Sequence, residues 1–299
     1  MGETQSSSTP AFPGFSPGKP TGVRASPIRV GVNWTRAVHL PLIRSMVRKG
    51  QADFVEVLID NFLHVEPEDM AAALDGAPVA FHIMHSRFLE RTEVQLASMA
   101  SRIRTMAREL RPLYISDHLL RFTVDGREVP FLPELDYGRG YDLACRRVTS
   151  WQEQLGAPVL FENYPSIFDS GLEQPAFLER LFRETGAGLL FDVSNAVCAH
   201  RNCQLPLDAW DTLLESATHG SHLHVGGYEP SSEAPFVSLD LHGSALADDT
   251  LDYLERVFLR LRAPATISVE RDNHIDLEPW STDIVAVRTR WERAAHGQG

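Results

Sequence analysis

Residues 158–165 have the sequence Pro158-Val159-Leu160-Phe161-Glu162-Asn163-Tyr164-Pro165. The consecutive apolar residues, bounded by proline, indicate a short strand that is buried on both faces. Such a strand normally ends in a turn residue, whereas this one ends in a carboxylate and an amide. Because burying an unpaired charge costs several kcal/mol, we expect Glu162 to be paired or bound to a metal.

The same pattern, an apolar strand that ends in an acid or an imidazole, recurs along the chain. It is found in Val79–His82, Leu113–His118, Gly188–Asp192, Ser221–Val225 and Thr266–Glu270. Two earlier strands, Ile28–Asn33 and Asp53–Ile59, and the helical segments between strands complete eight strand-helix repeats. These repeats predict an α/β fold, a (β/α)₈ TIM barrel with a metal site at the C-terminal ends of its strands. The competing fold, a doubly wound open sheet, would bind at one switch point, but here the polar ends extend over strands three to eight.

The domain organisation follows from composition. Ser, Thr, Pro and Gly dominate residues 1–27, which predicts a disordered N-terminal tail, so the predicted barrel domain spans residues 28–293. An Asp-Gly pair within Phe122–Val129 predicts a hairpin in the loop after the fourth strand. A long loop is predicted from Asp192 through Cys203, before the next helix.

Charge and cysteine content exclude several classes of protein. The net charge of −12 argues against nucleic acid as a partner, because phosphate binding needs a basic face. No apolar run approaches the ~20 residues of a membrane span, and the N-terminus lacks the apolar core of a signal peptide. Three cysteines form no disulfide framework. We therefore expect a soluble, cytoplasmic protein that binds neither nucleic acid nor membranes.

The polar strand ends are expected to converge in one barrel mouth. Asp240 and His242, which lie on a loop with one residue between them, could reach the same mouth. The predicted metal ligands are His82, Asp117, His118, Glu162, Asn163, Asp192, His224, Asp240, His242 and Glu270. One ion accepts at most about six ligands, and so many carboxylates would repel one another without cations. We therefore predict two or three divalent ions with Glu162 as a bridge. Mixed His and carboxylate donors suit iron, manganese or zinc.

Two of these ligand assignments have open alternatives, and so does Asn195, which lies one short turn beyond Asp192. Asp117 could orient its neighbour His118 instead of binding metal itself. Asn163 and Asn195 could be turn-forming residues.

Motifs at nearly every strand end resemble the multinuclear non-haem iron-dependent oxidative enzymes, which modify ribosomally made peptides. They are Gly31-Val32-Asn33, Phe81-His82, Ser116-Asp117-His118, Phe161-Glu162-Asn163, Phe191-Asp192-Val193-Ser194-Asn195, His224-Val225-Gly226-Gly227, Asp240-Leu241-His242 and Glu270-Arg271-Asp272. The resemblance covers residues 28–293. Within the family, Leu58–Leu63, Phe81–Met84 and Glu162–Ser166 look most similar to the branch that matures methanobactin, a copper-chelating peptide.

This resemblance implies a reaction, a cofactor and a partner. The enzyme would use two to three non-haem iron ions, mixed Fe(II)/Fe(III), with dioxygen as co-substrate. It would convert a cysteine of a precursor peptide and its preceding amide into an oxazolone and a neighbouring thioamide. A small subunit that binds the leader peptide would complete a heterodimer. Asp240 would move protons, and Asn33 and Asn195 are predicted to bind substrate.

A metal-dependent hydrolase or isomerase of the endonuclease IV/xylose-isomerase-like barrel type is the alternative function. Sugar isomerases usually carry a lysine in the barrel mouth. The only lysines of the chain are Lys19 and Lys49, and neither lies at a strand end. The sequence therefore favours the oxidative enzyme.

Overall fold

The computed structural model describes residues 28–124, 126–128, 134–216, 221–261, 265–273 and 275–296. The strands in these residues are β1 (Arg29–Trp34), β2 (Phe54–Leu58), β3 (Val79–Ile83), β4 (Ile115–His118), β5 (Thr123–Val124), β6 (Arg127–Glu128), β7 (Leu160–Glu162), β8 (Gly188–Asp192), β9 (Ser221–Val225), β10 (Tyr228–Pro230), β11 (Ser238–Asp240) and β12 (Ala265–Val269). Eight of them close into a parallel barrel in the order β1-β2-β3-β4-β7-β8-β9-β12, with β12 paired to β1. The predicted TIM barrel is confirmed.

Helices cover the outside of the barrel. They are α1 (Leu40–Arg48), α2 (Pro67–Leu74), α3 (Glu93–Leu110), α4 (Tyr141–Leu155), α5 (Gln174–Thr185), α6 (Val193–Cys203), α7 (Asp211–Glu215), α8 (Asp248–Arg260) and α9 (Leu277–His296), with 3₁₀ turns at Ala37–His39, Ile59–Phe62, Asp169–Glu173 and Leu207–Trp210. No helix among the described residues is long and apolar enough to cross a membrane.

The segment after β8 differs from the prediction. Instead of a long loop through Cys203, the chain turns directly into helix α6. Asp192 starts this helix, because one carboxylate oxygen accepts a hydrogen bond from the Asn195 N–H at 2.6 Å. The helix is buried on nearly all sides. It therefore lacks the apolar and polar alternation from which a surface helix is predicted.

Two hairpins extend from the end of the barrel at which the strands terminate. The hairpin predicted in Phe122–Val129 is present in its described part, where β5 pairs antiparallel with β6. Asp125 and Val129 lie outside the described residues, as does the predicted tail of residues 1–27. A second hairpin, β10 with β11, follows β9 and carries Asp240.

The barrel interior holds a separate apolar layer below the mouth. It consists of Phe54, Ala80, Tyr114, Leu160 and Leu190. Gly31 of β1 makes room for this layer, because a Cβ at residue 31 would lie 2.5 Å from the Phe54 ring. Close packing of the interior therefore depends on the missing side chain.

We predict that Gly31→Ala destabilises the barrel by about 1–3 kcal/mol, because the added methyl group overpacks the interior. Phe54→Leu in the same chain should restore part of the loss, since it removes the ring that the methyl group meets. Urea unfolding followed by circular dichroism measures both. Gly138→Ala is the matched control, because its Cβ would make only ordinary contacts. Equal stability of Gly31→Ala and wild type would show that the interior is not closely packed at this position.

Candidate metal centre

Three imidazoles surround one oxygen of Glu162 at the mouth of the barrel. Glu162 Oε2 lies 3.2 Å from His118 Nε2 and 3.6 Å from His82 Nε2. His224 Nδ1 is also 3.6 Å away. This oxygen makes no hydrogen bond, whereas Glu162 Oε1 accepts one from Asn195 Nδ2 at 2.9 Å. Glu162 therefore occupies the central position that the sequence predicted for a bridging ligand.

Two of the imidazoles are oriented by the strands that carry them. His118 Nδ1 lies 3.1 Å from the Ile83 carbonyl oxygen, to which it can only donate. His82 Nδ1 lies 2.9 Å from Ser116 Oγ. These bonds direct Nε2 of both rings toward Glu162, as the outer hydrogen bond of a metal-bound histidine does.

The other half of the cluster is built by the ends of β9 and β12, the start of α6, and the residues on and just after β11. His224 Nδ1 lies 3.1 Å from Glu270 Oε2. His242 Nε2 lies 2.7 Å from Asp240 Oδ2 and 3.7 Å from Glu270 Oε2. Asp192 uses Oδ1 to start α6 and leaves Oδ2, a buried atom, without a hydrogen bond.

His242 reaches the cluster through an unusual backbone conformation. Its φ is 51°, in the left-handed region that costs a residue with a Cβ roughly 1–3 kcal/mol. Gly226 leaves space for its ring, because a Cβ there would lie 2.3 Å from His242 Cδ2. Gly226 is thus required by the close approach of this imidazole, whereas a Cβ on Gly227 would lie 2.2 Å from the Ser244 carbonyl oxygen.

Several ionisable groups of the cluster have pKa values that are shifted from their ordinary range. Burial, reinforced by the charges of Asp240 and Glu162, raises the pKa of Asp192 well above its ordinary value. Burial also raises the pKa of Glu270, although His224 and His242 oppose that shift. Burial opposes a charge on His118, but the Glu162 carboxylate outweighs it and raises the pKa of His118 to about 9. Crowded carboxylates of this kind call for cations between them.

The donor atoms fit metal ions. Among the described residues, four overlapping groups of three have donors that all lie within 4.8 Å of one another. They are Glu56, His82 and His224; His82, His118 and Glu162; Glu162, Asp192 and His224; and Asp192, His242 and Glu270. Glu162 Oε2, Asp192 Oδ2 and His224 Nδ1 are buried and make no hydrogen bond to any residue that the structure describes. Oxygen and imidazole donors with unused lone pairs are those that iron, manganese and zinc accept.

Two predicted ligands point elsewhere. Asp117 lies on the outer face of β4, where its oxygens accept from Trp151 Nε1 at 2.9 Å and from the His118 N–H at 2.7 Å. Asn163 exchanges two hydrogen bonds with the backbone of Asp192, at 2.9 and 2.7 Å. These contacts do not bring the two side chains into the cluster around Glu162, because adjacent residues at a strand end face opposite sides and His118 and Glu162 hold the inward positions. Their role as ligands stays a prediction that the observed contacts do not support.

Asn33, Asn195 and Asp240 line the same cavity. Asp240 belongs to none of the four donor groups, and its predicted role as a ligand stays a prediction. Asn33 donates to Asp272 Oδ1 at 3.0 Å and accepts from the Arg271 N–H at 2.9 Å. The Asn195 amide orients Glu162. Binding of substrate by the two asparagines stays a prediction.

The sequence interpretation missed two carboxylates of the site. Glu56, in the middle of β2, lies 2.7 Å from His224 Nε2. Asp272, two residues beyond Glu270, lies 3.1 Å from His242 Nδ1. The signal for Glu56 was present: a charged residue between Val55 and Val57 in a buried strand must have a partner.

The cavity above the cluster has a volume of about 380 Å³ and a mixed lining. The polar groups of the cluster lie among apolar residues at the ends of the strands and on or just after β11. The apolar residues are Leu58, Met84, Leu120, Pro165, Ile167, Leu239 and Leu241.

The fold and the site together define an enzyme of the TIM-barrel class whose mouth carries residue groups that could hold metal ions. Within that class, the chain belongs to the MbnB/TglH/ChrH family of RiPP precursor modification enzymes, whose family model matches residues 29–288. A UPF0276 protein of Rhizorhabdus wittichii is 28% identical over 229 residues, which cover 75% of this chain and 80% of the relative.

Solved structures with low sequence identity share the fold alone. A xylose isomerase-like TIM barrel from Mycobacterium smegmatis in complex with magnesium gives a TM-score of 0.59 at 15% identity and covers 90% of this chain and 98% of its own. Endonuclease IV from Thermus thermophilus gives 0.54 at 14% identity, with coverages of 89% and 99%.

We predict that Glu162→Gln removes metal, whereas Asp117→Asn retains it. The amide in place of Asp117 leaves a buried donor of Trp151 or His118 unsatisfied, which should cost about 1–3 kcal/mol of stability. Elemental analysis after desalting gives the metal content, and urea unfolding gives the stability. Loss of metal from Asp117→Asn, or full metal content in Glu162→Gln, would contradict the placement of these side chains.

Proposed function

We propose that this chain oxidises a cysteine of a ribosomally made precursor peptide with iron and dioxygen, in the manner of methanobactin maturation. The cysteine and its preceding amide become an oxazolone and a neighbouring thioamide. Two to three iron ions, mixed Fe(II)/Fe(III), occupy the cluster around Glu162. Membership of a family of peptide-modifying enzymes supports the substrate class.

The observation that carries this proposal is the composition of the donor set. The four donor groups contain only imidazoles and carboxylates. The chain's own cysteines, Cys145, Cys198 and Cys203, are free and belong to none of these groups. A soft sulfur ligand can therefore come from the substrate, and iron accepts a thiolate beside harder donors.

The reaction balances with one dioxygen. The peptide loses four hydrogens, that is, four protons and four electrons, and dioxygen takes them up to leave two waters. Iron bound in the cluster would supply the electron transfer and an open position for the peptide thiolate. The chain's own groups then have to bind the peptide, orient it and move protons.

Asp240 is the group best placed to move a proton. It lines the cavity and belongs to none of the four donor groups. Its Oδ2 lies 2.7 Å from His242 Nε2, and its Oδ1 is buried without a hydrogen bond. A carboxylate with one unused oxygen facing a reaction cavity can accept a proton from a substrate.

The apolar residues that line the cavity favour a peptide over a sugar. A peptide side chain would bury apolar surface against them, whereas a sugar or a phosphate would gain little from such contacts.

A metal-dependent hydrolase or isomerase remains the second candidate, because the structural neighbours named above include such barrels. Lys49 cannot supply the lysine that sugar isomerases usually carry in the mouth, because it follows α1 at the opposite end of the barrel.

Exposed apolar side chains at the mouth support a protein partner. Val38, Phe168 and Phe236 are 75%, 71% and 83% exposed. They lie in the segments that follow β1, β7 and β10, all at the same end of the barrel. Single exposed apolar residues are ordinary, but several around one opening are typical of an interaction surface. We propose that the small leader-binding subunit covers this end.

We expect turnover of a Cys-containing precursor peptide by the chain with its partner subunit, iron, reductant and dioxygen. Mass spectrometry should show the loss of four hydrogens per modified cysteine with no oxygen added, since in the proposed reaction both atoms of dioxygen leave as water. Without the partner subunit, or without dioxygen, the mass should stay unchanged. Oxygen-independent turnover of a sugar phosphate by the chain alone would establish the isomerase or hydrolase function.

A second prediction concerns Asp240→Asn. If Asp240 moves protons, the variant should retain its metal and lose about a hundredfold or more in turnover. Asp249→Asn, an exposed residue of α8 outside the cavity, is the matched control. Metal content by elemental analysis is measured on the same samples as the rate. Loss of an ion from Asp240→Asn would make Asp240 a ligand instead.

A further inference from the structure

Glu56 is a charged residue at the floor of the metal centre. It is 1% exposed, and on the same inward face of β2 it follows Phe54 of the apolar layer. A carboxylate in this position is destabilising unless hydrogen bonds replace the water it has lost. The identity of its partners therefore indicates why it is there.

Two side chains hold the Glu56 carboxylate from opposite directions. His224 Nε2 lies 2.7 Å from Oε1 and 2.9 Å from Oε2. The Tyr114 hydroxyl, which belongs to the apolar layer below, donates a short hydrogen bond to Oε2. Tyr114 thus fixes the position of the Glu56 carboxylate, and the carboxylate in turn fixes the orientation of the His224 ring.

These contacts fix which nitrogen of His224 is available. Nε2 carries its proton toward Glu56, so the lone pair of the neutral ring is on Nδ1. Nδ1 is the atom that faces Glu270 and Glu162, at 3.1 and 3.6 Å, and it makes no hydrogen bond. His82 and His118 present the opposite nitrogen, Nε2, to the same carboxylate.

We propose that Glu56, anchored by Tyr114, is a positioning residue that makes Nδ1 the ligating atom of His224. It thereby supports the ion held by Glu162, Asp192 and His224. The proposal rests on the metal centre of the proposed function, but not on the identity of the peptide or on dioxygen. A carboxylate behind a ligating imidazole also raises the basicity of that ligand.

The test compares Glu56→Gln with wild type in anaerobic titrations with Co(II), followed by its visible absorption against a competing chelator. We expect about 10–100-fold weaker binding of one ion, with the full number of ions bound at saturation. The Co(II) spectrum should also change, because the ligand field at His224 changes. Glu134→Gln is the matched control, since it removes a half-buried carboxylate that bonds Ser166 away from the cluster.

Tyr114→Phe provides a second variant that keeps the carboxylate and removes its anchor. It should weaken the same ion to a smaller extent, and it keeps the test valid if Glu56→Gln fails to fold. Unchanged affinity in the variants would overturn the positioning role alone. Loss of one ion even at saturation would make Glu56 a ligand and would equally overturn it. A wild-type chain that binds no Co(II) would overturn the metal centre itself, and this role with it.

Discussion

The contact between Glu162 Oε2 and three imidazoles is the constraint on which the rest of the site depends. Each imidazole comes from a different strand, so the contact is possible only when β3, β4, β7 and β9 have the register of the closed barrel. The closed barrel in turn depends on its packed interior, where the absence of a side chain at Gly31 leaves space for the Phe54 ring. Glu56 links this apolar layer to the site, because it contacts Tyr114 below and His224 above.

The sequence predicted the barrel because the fold depends on a pattern that repeats eight times. An apolar strand followed by a polar residue is visible without a structure, and so is the convergence of parallel strand ends. His82, His118, Glu162, Asp192, His224, His242 and Glu270 were predicted as ligands on that ground, and all of them belong to the donor groups. Helix α6 was missed for the opposite reason, since a helix buried on nearly all sides shows no periodic pattern.

Two of the predicted ligands are directed away from the cluster for the same reason. Asp117 and Asn163 each stand next to an inward-facing residue, and the alternation of a strand turns one member of each pair outward. The same alternation would have identified Glu56, because it shares its face with Phe54 and Leu58. The sequence could not predict which carboxylate oxygens lack a hydrogen bond or which imidazole nitrogens carry a proton. Both depend on contacts between residues distant in sequence, such as that of Ser116 with His82. Metal identity, substrate and partner rest on the family and the donor set.

His242 differs from the other predicted ligands because it does not stand on a strand of the barrel. Six of the seven predicted ligands in the donor groups stand at or beside the ends of barrel strands. His242 instead follows β11, in the long segment that connects β9 to β12. Its left-handed backbone is held by the His242 N–H bond to the Gly227 carbonyl and by the Asp272 N–H bond to the His242 carbonyl. An ion bound by Asp192, His242 and Glu270 would therefore cross-link this segment to the barrel. By thermodynamic linkage, any binding event that orders the segment also raises the affinity of the site for that ion. A molecule that binds the β10–β11 hairpin could therefore change metal affinity without contacting the metal.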